Sequence, residues 1–385
     1  MQRYREMSIR TAALSVTFAV TLVSQPWLLA DDRANIIEAF DVERNGDFLL
    51  IPVTIDGRQY QFGLDTGCSV TAFDTSLKPL LTPLGETIPL DETGSVDLFE
   101  CRRGSIGKSK LPLAKWAVCL DLAPFRERSG FDIRGVLGMD FLVHHILEID
   151  FDNGRVTFIR NSDSAQGEIV PIASFSKGVP VVKGAIPGDE ATLFLIDTGL
   201  CGFDDGKLTE LAFGNLARSR HLTISDEPHK SLSVTGVRTY REGTLSDLRV
   251  ATLRNSGLTF GESKGKWNVL GLGYLSRFKV TFDFAKRRLH LVQGKQFNRR
   301  SVPRLRIGFT IIDVDGQRVI TDVEEQGLGH KCGVRDADRI IEINGQSAAE
   351  MSFFQLQGLL RCGGELKLSS PNSTNVRVIR LSPKP

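Results

Sequence analysis

Short apolar runs separated by turn residues dominate the chain from Phe40 onward. Phe48-Leu49-Leu50-Ile51-Pro52-Val53-Thr54-Ile55 meets Asp56-Gly57 and continues as Tyr60-Gln61-Phe62-Gly63-Leu64. Runs rich in β-branched and aromatic residues, punctuated by Asp-Gly or Asn-Gly, predict β-hairpins. Residues 36 to about 160 therefore read as all β. A second stretch opens with Val179-Pro180-Val181-Val182-Lys183-Gly184-Ala185-Ile186, turns at Pro187-Gly188-Asp189, and repeats the same order of elements through Val292. Two short helices are expected, one over Lys207-Leu208-Thr209-Glu210-Leu211-Ala212 and a counterpart beginning at Thr75-Ser76-Leu77.

The repetition extends to particular residues. Phe62-Gly63-Leu64-Asp65-Thr66-Gly67-Cys68-Ser69 is answered by Leu193-Phe194-Leu195-Ile196-Asp197-Thr198-Gly199-Leu200-Cys201-Gly202, with 132 residues between Asp65 and Asp197. Gly135-Val136-Leu137-Gly138-Met139-Asp140-Phe141-Leu142 is answered by Asn268-Val269-Leu270-Gly271-Leu272-Gly273-Tyr274-Leu275, with 133 residues between Gly138 and Gly271. A strand, turn and strand follow each, and Asp150 stands 133 residues before Asp283. Average composition places on the order of 0.1 Asp-Thr-Gly tripeptides in a chain of this length. Two copies, in step with two further markers, indicate an internal duplication.

Beyond the polar, basic stretch Gln296 to Pro303, which reads as a linker, the pattern changes. Arg306 to Ile311 and Val319 to Val323 predict strands, Phe353 to Leu360 an amphipathic helix, and Gly363 to Leu368 and Val376 to Leu381 the rest of a small sheet.

With 385 residues, 41% hydrophobic and 24% charged, the chain has the composition of a soluble globular protein of two or three domains. The formal net charge of +2 resides in the first ten residues, where Arg3, Arg5 and Arg10 outnumber Glu6. The balanced remainder has no electrostatic footprint for nucleic acid. That basic start, the uncharged Thr11 to Val23 and the segment ending at Ala30 read as a signal peptide over 1–30, so the protein is expected to be exported, periplasmic or secreted. A membrane association is expected only if the leader stays uncleaved, because its apolar run is shorter than a bilayer span. Export permits the pairs Cys68 with Cys201, Cys101 with Cys119 and Cys332 with Cys362, although spacing does not decide them and burial as small hydrophobes is the alternative for the first. There is no Cys-x-x-Cys or His-rich cluster to argue for zinc, and neither a metal nor an organic cofactor is expected. His144-His145 would point to opposite faces of a strand and reads as a polar edge.

The chemistry lies in the paired aspartates. Hydrolysing a peptide without a metal or covalent intermediate takes one group that removes a proton from water and another that gives one to the carbonyl oxygen. Two carboxyls sharing one proton can do both, because like charges so close cannot both ionise. Gly67 and Gly199 allow a sharp turn against the carboxylate, and Thr66 and Thr198 offer hydroxyls that could lock the two loops together.

An Asp-Thr-Gly pair, each followed after about seventy residues by Val-Leu-Gly, resembles the aspartic peptidase superfamily of pepsin and the retroviral proteases. The resemblance implies that Asp65 and Asp197 are catalytic, that Thr66, Gly67, Thr198 and Gly199 support the catalytic loops, and that Leu137-Gly138 and Leu270-Gly271 thread beside them. Cys68 and Leu200 stand where many pepsin-like enzymes carry a Ser or Thr that contacts the carboxylate. A flap would have to come from Gly94-Ser95-Val96-Asp97-Leu98-Phe99 or a nearby hairpin. The C-terminal part resembles a PDZ domain. Ile307-Gly308-Phe309 falls at its carboxylate-binding loop, with Arg304 and Arg306 beside it, and Cys332-Gly333-Val334 through Ile343-Asn344-Gly345 is the best-marked stretch. Asp336-Ala337-Asp338 departs from the more usual Gly-Asp.

The expected fold is mainly β, with two aspartic-protease-like β-barrel lobes related by a pseudo-two-fold, over 36–160 and 166–294, and a small α+β PDZ-like domain over 303–385. The expected function is that of an exported aspartic endopeptidase acting on peptide or protein substrates, with the terminal module binding substrate or a C-terminal peptide ligand. The alternative is a catalytically inactive peptide-binding scaffold on a protease-like fold.

Overall fold

The computed structural model describes residues 34–382 apart from 43–47, 91–93, 102–103, 109, 114, 130, 203, 226–227, 234–235, 300–304, 306, 352 and 372–374. The leader, Arg304 and Arg306 lie outside the described residues. Residues Ile36–Pro385 form one compact unit, and the chain is mainly β.

Six strands link the two halves in one antiparallel row: Ile36–Asp41, Arg155–Ile159, Ile146–Asp150, Phe278–Asp283, Arg288–Gln293 and Glu168–Ser176. The duplication is visible in their register. Ile146 pairs with Asp283 and Asp150 with Lys279, so the two strands exchange equivalent positions about the central pair Glu148 and Thr281, themselves 133 residues apart. One face of this row feeds a continuous core, in which Leu147, Ile149, Phe158, Val280, Phe282 and Leu289 are buried.

Each half then builds the same local motif. Asp56 and Gly57 both take positive φ (47° and 79°), which lets Leu50–Ile55 fold directly back onto Arg58–Leu64. Ile133–Leu137 runs parallel to Arg58–Leu64, with Leu137 opposite Leu64, and antiparallel to Ala72–Asp74. In the second half Asn268–Leu270 runs parallel to Asp189–Ile196, with Leu270 opposite Ile196, and antiparallel to Gly206–Thr209. The expected helix at Lys207 begins later, over Glu210–Arg218, because Gly206–Thr209 is taken up by this sheet and Thr209 accepts the Ala212 N–H as N-cap. Its counterpart is the 3-10 helix Thr75–Leu80, capped by Asp74. His144 and His145 fall in a turn after the helix Met139–Leu142 rather than in a strand, and His145 packs on Phe141 and Phe158.

A buried ion pair ties the second half to the segment that follows it. Arg277, fully buried, donates to Asp205 Oδ1 through Nε and Nη2 (3.1 and 2.9 Å) and through Nη1 to the carbonyls of Phe297 and Arg299. Asp205 Oδ2 accepts the Thr259 N–H at 2.8 Å. Arg277→Met would take from the buried Asp205 carboxylate its two charged hydrogen bonds and leave Arg299, half-exposed and 3.9 Å away, as the nearest cation. The expected cost is about 3–5 kcal/mol, read as a fall in the urea midpoint.

The last residues have their own core, including Phe309, Ile311, Ile320, Val334, Leu356, Leu360, Leu366 and Leu368. Its sheet runs Thr310–Val314, Gln317–Thr321, Arg339–Ile343, Gly364–Ser369 and Val376–Leu381, with Thr310–Val314 at the edge and the helix Phe353–Cys362 beside it. The first strand starts four residues later than expected from Arg306, because Ile307-Gly308-Phe309 forms the loop that enters it. None of the six cysteines forms a disulfide, so none of the three pairings is made.

Candidate active site

Asp65 and Asp197 sit at the ends of equivalent strands, and each backbone N–H is held at 3.0 Å by the neighbouring parallel strand, Asp65 by the Leu137 carbonyl and Asp197 by that of Leu270. Each carboxyl is oriented from within its own loop. Asp65 Oδ1 accepts the Gly67 and Cys68 N–H groups (2.7 and 3.1 Å), and Asp197 Oδ1 accepts those of Gly199 and Leu200 (2.8 and 2.9 Å).

The two loops are locked to each other by their threonines. Thr66 Oγ1 donates to the Ile196 carbonyl at 2.7 Å and accepts the Thr198 N–H at 3.1 Å. Thr198 Oγ1 donates to the Leu64 carbonyl at 2.8 Å and accepts the Thr66 N–H at 2.9 Å. Both threonines are buried, so four backbone groups that would otherwise be orphaned at the junction are satisfied reciprocally.

This lock sets carboxyl against carboxyl. A Cβ at Gly199 would lie 2.3 Å from Asp65 Cγ, and one at Gly67 would lie 2.4 Å from Asp197 Cγ, so only glycine fits either position. Burial and then the Asp197 charge hold the Asp65 carboxyl well above the usual carboxylate range, with a side-chain hydrogen bond between the two carboxyls adding to it. Burial raises Asp197 as well, against the pull of its own loop N–H groups and of the Asp65 bond. The titration belongs to the pair. Gly199→Ala should push the carboxyls apart, and the Asp65 carboxyl should then titrate lower, toward the ordinary range. Carboxyl 13C NMR of aspartate-labelled protein would read this.

The residue after each Asp-Thr-Gly brings no hydroxyl. The Cys68 thiol, pushed up to about 12 by burial and by the Asp65 charge, donates instead to the Val70 carbonyl at 3.0 Å. Gly138 and Gly271 pack where a side chain has no room: a Cβ would meet the Val70 carbonyl carbon at 2.7 Å and the Leu200 carbonyl oxygen at 2.6 Å respectively.

Asp140 is a supporting residue that sequence reasoning passed over. Its carboxylate accepts the Thr71 N–H (2.9 and 3.0 Å) and the Thr71 hydroxyl (2.8 Å), while Thr71 Oγ1 accepts the Gly138 N–H at 3.2 Å. The second half has Gly273 at the matching position, where a Cβ would be 2.2 Å from the Asp204 carbonyl oxygen. The signal available was the unequal pair Asp140 and Gly273 within otherwise matching segments.

Beside the first loop lies a pocket of about 270 Å³ lined by Ser69, Met139, Asp140, Val143, Phe175 and Gly178, drawing on both halves. Gly94–Glu100, expected near any flap, pairs with Thr82–Leu90 as a hairpin. In the repeat the matching strand order sets Leu222–Ile224 against Glu242–Leu245, and between them in sequence a second hairpin forms, His229–Ser233 with Gly236–Tyr240. At the other end of the chain Gly308 has φ +70° between Ile307 and Phe309, and its carbonyl accepts the Glu324 N–H at 2.8 Å. Ala337 takes φ +66° in the stretch that departs from Gly-Asp, and the buried Asp338 beside it accepts from Arg377 Nη2 (2.6 Å), the Ser370 hydroxyl and the Arg335 N–H. The described residues contain no cluster of metal-ligating side chains.

Residues 319–368 match the PDZ domain family. The C-terminal part is thus a PDZ domain, a fold that binds proteins or peptides. Comparison with curated proteins finds no match.

Proposed function

We propose that the chain is an aspartic-type endopeptidase, exported by its leader, with two protease lobes in one chain and a PDZ domain that holds a substrate or partner peptide. One observation carries the reading: two Asp-Thr-Gly loops 132 residues apart meet carboxyl against carboxyl through reciprocal threonine bonds. At rest the pair shares one proton. The ionised carboxylate takes a proton from a water held between them as that oxygen attacks the scissile carbonyl carbon, and the protonated carboxyl gives its proton to the carbonyl oxygen. The resulting neutral diol collapses when the newly protonated carboxyl passes its proton to the amide nitrogen. The C–N bond breaks, and the other carboxylate recovers a hydroxyl proton. Asp65 and Asp197 do this work, while Thr66, Gly67, Thr198 and Gly199 fix their distance. An extended substrate lies between the halves, with an apolar side chain in the pocket of Met139, Val143 and Phe175.

A non-catalytic peptide-binding scaffold is the second reading, and one observation favours it: neither Cys68 nor Leu200 offers a hydroxyl to the carboxylates. Assaying the purified protein on a peptide library from about pH 3 to about pH 8 separates them. Because both carboxyls are raised, cleavage should persist above the ordinary carboxylate range before it fails on the alkaline side. Absence of cleavage at every pH would leave only the scaffold.

A further inference from the structure

The helix Ala123–Ser129 belongs to the first half of the chain, yet its main neighbours lie in the PDZ domain. It packs against both the edge strand Thr310–Val314 and the helix Phe353–Cys362. Thr310–Val314 is the edge of its sheet, and the PDZ resemblance implies that these two elements frame the groove in which an extended peptide adds to that edge, its carboxylate toward Ile307-Gly308-Phe309. A seven-residue helix cannot supply strand hydrogen bonds. It lies against both elements instead, and its one large apolar side chain, Phe125, is half-buried.

The helix is also tied back toward the aspartates. Arg126 Nη1 donates to Asp74 Oδ2 at 2.7 Å and to the Ile133 carbonyl at 3.0 Å, and the Leu122 N–H donates to Asp74 Oδ2 at 3.0 Å. Asp74 ends the strand that pairs with Gly135 and Val136, and Leu137 of that same strand holds the Asp65 N–H.

We propose that the PDZ groove is a regulatory site whose resting ligand is the chain's own Ala123–Ser129 helix, and that a peptide with a free C-terminal carboxylate and an apolar last residue binds by displacing it. Helix and peptide exclude one another, because both need the open side of Thr310–Val314. Peptide capture therefore releases a helix anchored two strands from Asp65. The inference rests on the peptide-binding reading of the PDZ domain and is independent of whether the aspartates cut.

The test uses the full chain carrying Asp65→Asn, so that no probe is consumed. The probe is a fluorescent peptide pool ending in Leu, Val, Ile or Phe with free carboxylates, with the amidated pool as control. Phe125→Asp should loosen the helix and tighten free-acid binding about tenfold, as expected if the parent groove is open about a tenth of the time. Saturating the parent with the free-acid pool should raise amide hydrogen exchange over residues 123–129, and the amidated pool should not. Binding that leaves that exchange unchanged overturns the inference alone. Failure of the pool to bind either form overturns it together with the peptide-binding reading. If Phe125→Asp does not fold, the exchange measurement on the parent decides.

Discussion

Asp65→Asn and Asp197→Asn should each lower kcat/KM on a cleaved peptide by about 10³-fold or more, with the fold intact. On the proposed endopeptidase reading, either change removes a proton carrier that its partner cannot replace, since an amide neither takes a proton from water nor passes one on. The same variants make a prediction about stability that a merely structural pair would not. Both carboxyls titrate above the ordinary carboxylate value in the folded protein. An acid whose folded pKa is raised is easier to bury protonated than ionised, so the wild type loses stability as pH rises from the unfolded value through the folded one. Asparagine keeps the Oδ1 acceptor for the loop N–H groups and carries no charge. Asp65→Asn should therefore melt above the wild type at neutral pH, and the difference should shrink on the acid side of the ordinary carboxylate value. Thermal melts at both pH values check this. A variant that melted below the wild type at neutral pH would mean that the pair is not held carboxyl to carboxyl.

What could be read from the chain and what could not divide along a physical line. The repeat was legible because duplication preserves spacing, and spacing survives wherever the backbone geometry does: Leu137 opposite Leu64 and Leu270 opposite Ile196 are the same register. The threonine roles were legible because a hydroxyl beside a sharp turn has few uses. Asp140 was missed because its partner, Thr71, is 69 residues away and nothing in either local pattern points to the other. The pair of Asp205 and Arg277, 72 residues apart, escaped for the same reason. Residues 207 to 209 were misassigned because propensity favours a helix there, whereas pairing of Gly206–Thr209 with Leu258–Ser263 and Asn268–Leu270 overrides it. The docking of Ala123–Ser129 onto the PDZ domain joins segments almost two hundred residues apart. Ala123-Pro124-Phe125-Arg126-Glu127-Arg128-Ser129 carries no signature of what it will touch.

The threonine lock yields the second large effect. Thr66→Val keeps the shape and removes the hydroxyl, leaving the Ile196 carbonyl without its donor and the Thr198 N–H without its acceptor, both buried. Thr198→Val does the same to the Leu64 carbonyl and the Thr66 N–H. Each unsatisfied buried group costs about 1–3 kcal/mol, so either single change should lower stability by about 2–4 kcal/mol in urea unfolding. Activity should fall by about 10²-fold, because the loops no longer hold the carboxyls at their working distance. The four orphaned groups are all different, so independent bonds would make the double variant cost the sum of the two singles. A lock that works as one unit predicts otherwise: once the first substitution lets the loops separate, the second has less to lose. The double variant should then fall short of the sum by about 1 kcal/mol or more. Strict additivity would show that the two halves are held at this junction by something other than the reciprocal threonines, and the approach of Asp65 to Asp197 would need another cause.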